Sequence, residues 1–153
     1  MRAKLGGMAC FTYHCPMRWA DMDPFGHVNN ALFVVYLEQA RVELFFRHAH
    51  DHGVDSFERG VVIARHEIDY LRPVVYAAEP LRIDLWVGAM GGAWFNVDYE
   101  VYDRSTGDDL LAVRASSKCV PYDLVTGRPR RLTAKERTFL DRFDGKPATT
   151  GAA

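Results

Sequence analysis

Between Arg18 and Asn30 the chain reads Arg18-Trp19-Ala20-Asp21-Met22-Asp23-Pro24-Phe25-Gly26-His27-Val28-Asn29-Asn30. Two carboxylates, an imidazole and two carboxamides fall within one short segment. An apolar run, Ala31 to Leu37, follows at once. The segment therefore reads as a loop feeding the N-terminus of a buried helix. The first N–H groups of a helix lack intrahelical partners, and the helix dipole adds partial positive charge there. Such an end can stabilise the oxyanion formed when a carbonyl is attacked. A carboxylate beside it can act as general base or nucleophile. The same residues are also ordinary turn and cap chemistry, with Asp-Pro and Gly26 for a turn and Asn29-Asn30 for an N-cap. Asp21 is the better candidate for that structural role. A lone His27 more often holds a hydrogen bond than performs a chemical step.

Elements on either side must position this loop. Five segments alternate with period two, the mark of strands with one buried face. The first, Ala9 to Trp19, puts Phe11, Tyr13, Cys15, Met17 and Trp19 on one face. The second, Val61 to Leu71, groups Val62, Ala64, Ile68 and Tyr70 against Arg65, Glu67 and Asp69. The third is Leu81 to Ala89, the fourth Ala93 to Tyr102 and the fifth Leu110 to Val120. Gly91-Gly92 signals a two-residue hairpin, and Ser105-Thr106-Gly107 the next turn. A helix is expected from about Asn30 to His50, apolar nearly all round and hence buried on most sides, with Gly53 as its stop. A shorter one is expected from Ala134 to Phe143, opened by a Thr133/Glu136 capping box. The simplest packing is an α+β domain, one antiparallel sheet wrapping one long central helix. The helix is more apolar than one small sheet can cover, so a homo-oligomer is expected.

The chain has 153 residues, a formal net charge of −1 and 48% hydrophobic residues. That length and balance favour a single domain, over 1–143, with 144–153 as a disordered polar tail. A domain of this size buries roughly 70% of its unfolded surface and needs no staple. Near-neutral charge argues against nucleic acid as a partner. The longest apolar run is too short for a membrane span, and no secretory signal is visible. Cys10, Cys15 and Cys119 form no paired motif and fit a reducing compartment, so a cytoplasmic location is expected.

The run Asp21-Met22-Asp23-Pro24-Phe25-Gly26-His27-Val28-Asn29-Asn30, followed by Phe33, Tyr36, Glu38, Ala40 and Arg41, resembles the hotdog-fold acyl-CoA thioesterases. The branch it looks like is the 4-hydroxybenzoyl-CoA thioesterase-like group. Asp69-Tyr70-Leu71-Arg72-Pro73-Val74 is similar to that group as well, and the likeness spans about Tyr13 to Tyr122. The resemblance implies a five-stranded antiparallel sheet around one helix. It implies hydrolysis of acyl-CoA to free acid and CoA, with Asp23 as the catalytic carboxylate. Asn30 would offer its backbone N–H to the thioester oxygen, while His27 and Asn29 would shape the site. It also implies no metal or other cofactor, and a homodimer or homotetramer with sites between subunits. Ala78-Glu79 and Ala93-Trp94 depart from the pattern, and the bulk of Trp94 suggests a narrowed channel.

CoA phosphates call for basic residues, and Arg128, Arg130, Arg131 and Lys135 cluster after the fifth strand, with Arg114 and Lys118 on it. Arginine suits phosphate by its fork of donors. Lys118 and Arg128 are the substrate-binding candidates of that group. Three other readings stay open on the sequence. One is a hotdog dehydratase acting on 3-hydroxyacyl thioesters through His27. Another is a non-catalytic acyl-ligand binding protein on the same fold. The third is a divalent cation held by Asp21, Asp23 and His27.

Overall fold

The structure is a computed structural model and describes residues 10–146. Five long strands build one antiparallel sheet: β1 (Phe11–Cys15), β2 (Val61–Tyr70), β3 (Leu81–Met90), β4 (Phe95–Asp103) and β5 (Leu110–Asp123). Their spatial order is β1-β3-β4-β5-β2, which leaves β1 and β2 at the edges. A short β6 (Arg128–Pro129) folds back on β5, an element the alternation did not announce. The sheet curls around the helix α1 (Asn30–Val42), which continues through a π-helical stretch, Glu43–His48, into a last turn, α2 (Ala49–Asp51). From Asn30 to Asp51 the helix spans about 33 Å at ordinary helical rise. A final helix, α3 (Ala134–Leu140), ends in a 3-10 turn, Asp141–Phe143.

The inner face of the sheet and one side of the central helix make the core. Leu81, Ile83, Leu85 and Val87 of β3 and Phe95, Val97, Tyr99 and Val101 of β4 are buried with Phe33, Leu37, Ala40, Leu44 and Phe45 of the helix. These inner faces of β3 and β4 follow the period-two alternation of the two segments. On the helix, Val35 and Phe46 remain exposed at 40% and 37%, so its apolar surface is not fully covered by its own sheet. Arg41 is buried among these residues, and its Nη1 donates to the Tyr99 hydroxyl at 3.0 Å.

Three expectations need correction. On β2 the inward residues at the start are Val61 and Ile63, while Val62 and Ala64 face outward. A bulge between Ile63 and Arg65 adds one residue opposite β5, and one extra residue exchanges the faces. His66 and Ile68 consequently take the inward positions. Trp19 is not on the buried face of the first strand: β1 stops at Cys15, and Trp19 lies in a 3-10 turn, 77% exposed. Gly91-Gly92 is not a two-residue turn. Met90 pairs with Phe95, the Gly91 N–H donates to the Trp94 carbonyl at 2.8 Å, and neither glycine has the positive φ that a type I′ turn needs. Gly91 is required there for another reason, because a Cβ would sit 2.3 Å from Trp94 Nε1.

Of the tail expected at 144–153, residues 147–153 lie outside the described residues, and Lys146 Nζ pairs with Glu100 Oε1 at 3.0 Å. The capping box on α3 is present. The Glu136 N–H donates to Thr133 Oγ1 at 3.1 Å, and the Thr133 N–H donates to Glu136 Oε2 at 2.7 Å. The Glu136 carboxylate is fully buried and also receives Ser56 and both Nη atoms of Arg130. Burial alone would raise its pKa, but these donors outweigh burial and hold it below the usual carboxylate range. Arg130 therefore belongs to the frame. Replacing Arg130 with Ala leaves a buried carboxylate uncompensated, and urea unfolding is expected to show a loss of about 3–5 kcal/mol.

Candidate active site

The loop that precedes α1 is organised from its first carboxylate. Asp21 is buried, and the Tyr36 hydroxyl donates to its Oδ2 at 2.6 Å. The backbone N–H of Arg18 donates to the same oxygen at 2.9 Å, and Arg18 Nε donates to Oδ1 at 3.0 Å. Burial would raise the pKa of this carboxyl, but the Tyr36 hydrogen bond and the Arg18 donors outweigh it and hold Asp21 below the usual range. Tyr36 is pushed upward in turn, by burial and by the Asp21 carboxylate. The structural role assigned to Asp21 is thus observed, and its oxygens are already committed. That leaves the shared cation site with Asp23 and His27 without one of its ligands.

Beyond Asp21 the chain makes a tight excursion. Met22 and Val28 form an isolated antiparallel bridge. The Asp23 N–H donates to the His27 carbonyl at 2.9 Å, and the Gly26 N–H donates to the Asp23 carbonyl at 3.0 Å. Gly26 has φ +78°, a left-handed conformation that favours glycine. Asp23 Oδ1 accepts the Phe25 N–H at 2.9 Å, which orients the carboxylate by a local Asx turn. The chain then returns under two further bonds, one to a distant segment and one within the loop. The Val28 N–H donates to the Val74 carbonyl at 2.7 Å, and the Asn29 N–H donates to the Asp21 carbonyl at 2.9 Å.

Asn29 is the N-cap of α1, its Oδ1 accepting the Ala31 N–H at 2.9 Å, and its carbonyl accepts the Leu32 N–H. Among the described residues the Asn30 N–H donates to no acceptor and heads the helix. Asn30 lines a groove of about 380 Å³ that Asp23 and His27 also line. The walls are Phe25, Val28 and Phe33 on one side and the segment Tyr70 to Val74 on the other.

The structure thus brings Asp23, His27 and Asn30 to one groove and puts Asn29 beneath them as the cap. Lys118 and Arg128 line no part of it. The Lys118 ammonium sits 4.5 Å from the centre of the Trp94 ring, and Arg128 is exposed on β6. Trp94 is likewise absent from the groove wall. Two polar residues of the wall, Tyr70 and Arg72, gain no role from the sequence. The signal for them is the stretch Asp69 to Val74, which the alternation treats as the end of a strand. The Arg72 guanidinium has no hydrogen-bond or ion-pair partner among the described residues. A separate group, His50, Asp55 and Glu58, brings three ligating atoms within 4.8 Å of one another on an exposed surface.

Residues 17–143 match the thioesterase-like superfamily. The chain belongs to that family. Its fold is similar to a predicted thioesterase from Bacillus stearothermophilus, at TM-score 0.77 and 26% identity over 92% of this chain and all of that one. It is also similar to a thioesterase from Thermus thermophilus in complex with coenzyme A and zinc. That likeness has TM-score 0.72 and 28% identity over 94% of this chain and 99% of that one. Among curated proteins it resembles YsmA of Bacillus subtilis, 30% identical over 83 residues. That match covers 54% of each protein, so the chain spans about half the length of this relative. The hotdog architecture expected from the loop motif is therefore the observed one, and family and neighbours together support thioester hydrolysis.

Asp21→Asn is expected to cost about 3 kcal/mol at neutral pH, because it weakens charged hydrogen bonds to a buried group. The folded pKa of Asp21 lies below its unfolded value, so its contribution is complete above about pH 4. It is lost as pH falls through the folded pKa. Urea unfolding at a series of pH values should show the two proteins converging on the acid side.

Proposed function

We propose that the chain hydrolyses acyl-CoA thioesters to free acid and CoA. The observation that carries this reading is the shared groove, lined both by Asp23 and by Asn30, whose N–H heads α1 without an acceptor among the described residues. The family and the coenzyme A complex of the Thermus relative support a CoA-linked substrate.

In the general-base course, Asp23 takes a proton from water as the water oxygen bonds to the thioester carbon. The electron pair of the carbonyl moves to its oxygen, where the Asn30 N–H stabilises it. Collapse expels the CoA thiolate, which takes up the proton held by Asp23. In the nucleophilic course, a carboxylate oxygen of Asp23 attacks instead, thiolate leaves, and water cleaves the mixed anhydride. Both need one carboxylate and one oxyanion donor, and thiolate is a good leaving group without acid help. The apolar wall of Phe25, Val28, Phe33 and Leu71 would hold the acyl group. His27 and Arg72 would meet polar parts of the substrate at the rim. The exposed Val35 and Phe46 of the central helix and the open edge of β2 favour a homodimer or homotetramer as the working form.

The test is release of free thiol from short, long and aromatic acyl-CoAs by wild type and Asp23→Asn. The variant is expected to lose at least about 100-fold in kcat with an unchanged unfolding midpoint. Equal rates in the two proteins would remove Asp23 from the chemistry. Release of water from 3-hydroxyacyl-CoA with no thiol would establish the dehydratase reading instead.

A further inference from the structure

We infer that Tyr70 is a positioning residue for the oxyanion donor, acting through the Asn30 residue and not through the substrate. The inference rests on the role proposed above for the Asn30 N–H. Tyr70 is the last residue of the edge strand β2, forty positions from the helix start, yet its hydroxyl donates to the Asn30 carbonyl at 2.9 Å. Its ring also meets Phe33 edge-on, with centroids 5.7 Å apart and planes at 72°. Both aromatic residues line the groove that Asp23 lines.

The geometry brackets one residue. Upstream, the Asn29 N–H is tied to the Asp21 carbonyl and the Asn29 side chain to the Ala31 N–H, which fixes the peptide that carries the Asn30 N–H. Downstream, Tyr70 ties the carbonyl of Asn30 to the end of the sheet. A helix begins with its loosest turn, because its first N–H groups have no partners within it. A donor on that turn is useful in catalysis only if its direction is settled before the charge develops. The hydroxyl of Tyr70 supplies the downstream constraint.

The anchor is itself held. The N–H groups of Leu71 and Arg72 both donate to the Ala112 carbonyl of β5, at 2.8 and 3.2 Å, and Val74 accepts the Val28 N–H. Residues 70–74 thus form a clasp, with Tyr70 gripping the helix start and Val74 gripping the loop just before it. Tyr70 is 47% exposed, so the ring contributes little buried area and the hydroxyl can be removed without opening the core.

Tyr70→Phe keeps the ring on Phe33 and deletes only the hydroxyl. Thiol release from the best acyl-CoA should show kcat lowered about tenfold, with KM and the unfolding midpoint unchanged. Hydrogen exchange at the Ala31 and Leu32 amides should accelerate, while exchange in β3 and β4 stays as in wild type. An unchanged kcat overturns the proposal. A raised KM at constant kcat also overturns it, since that would mark a substrate contact. If wild type releases no thiol from any acyl-CoA, the hydrolase reading fails on its own. The exchange measurement then decides, and unaltered exchange at Ala31 and Leu32 overturns the positioning role.

Discussion

A single buried carboxylate, that of Asp21, holds the functional half of this molecule together. Its oxygens receive Tyr36 from the helix and Arg18 from the segment that follows β1, and its backbone carbonyl receives Asn29. Three pieces of chain with different directions therefore meet at one residue. A buried charge is tolerated only when its lone pairs are filled, and here strong donors fill them. The tight turn carrying Asp23 can then project outward without being anchored at its own tip. The two aspartates divide the work between them, one committed to hydrogen bonds within the fold and the other left facing the groove.

The same division runs through the arginines. Arg130 is committed to Glu136, Arg59 to Asp123, and Arg82 to Asp84 and Asp109. Arg41 holds Tyr99 in the core. Sequence clustering of basic residues after β5 therefore says little about ligand contact, because the cluster mixes frame residues with surface ones. Arg72 stands apart from it in sequence, and its guanidinium has no partner within the described chain. What separates a structural arginine from an available one is the acceptor opposite it, and that acceptor is set by strand register and helix docking.

Much of the frame was legible before any coordinates. Alternation placed β2 to β5 within a few residues, and it did so because the inner face of each strand is dry and its outer face wet. Thr133 and Glu136 announced α3 because a capping box satisfies orphan donors reciprocally. The loop motif placed Asp23, His27 and Asn30, which the fold does bring to one groove. The failures have local causes. One extra residue at Ala64 reversed the inward side of β2, and period two carries no warning of a bulge. Two glycines suggested a tight hairpin, yet the space at Gly91 is taken by the Trp94 ring and that at Gly92 by the Arg131 guanidinium. Tyr70 and Arg72 gained no role from sequence, since their partners, Asn30 and the open groove, lie far away along the chain.

The π-helical stretch at Glu43–His48 bears on how this chain compares with its kin. A turn of that kind holds one residue more than its α-helical counterpart over nearly the same rise. It works as a phase correction, letting Phe33, Leu37 and Ala40 be buried before it and Ala49 after it. A homologue with one residue fewer in this stretch can run an uninterrupted α-helix and bury the same two ends. Sequence alignments of the central helix should therefore accommodate a single gap between 43 and 48, and helical-wheel comparisons carried across it without one will assign the wrong face to everything that follows.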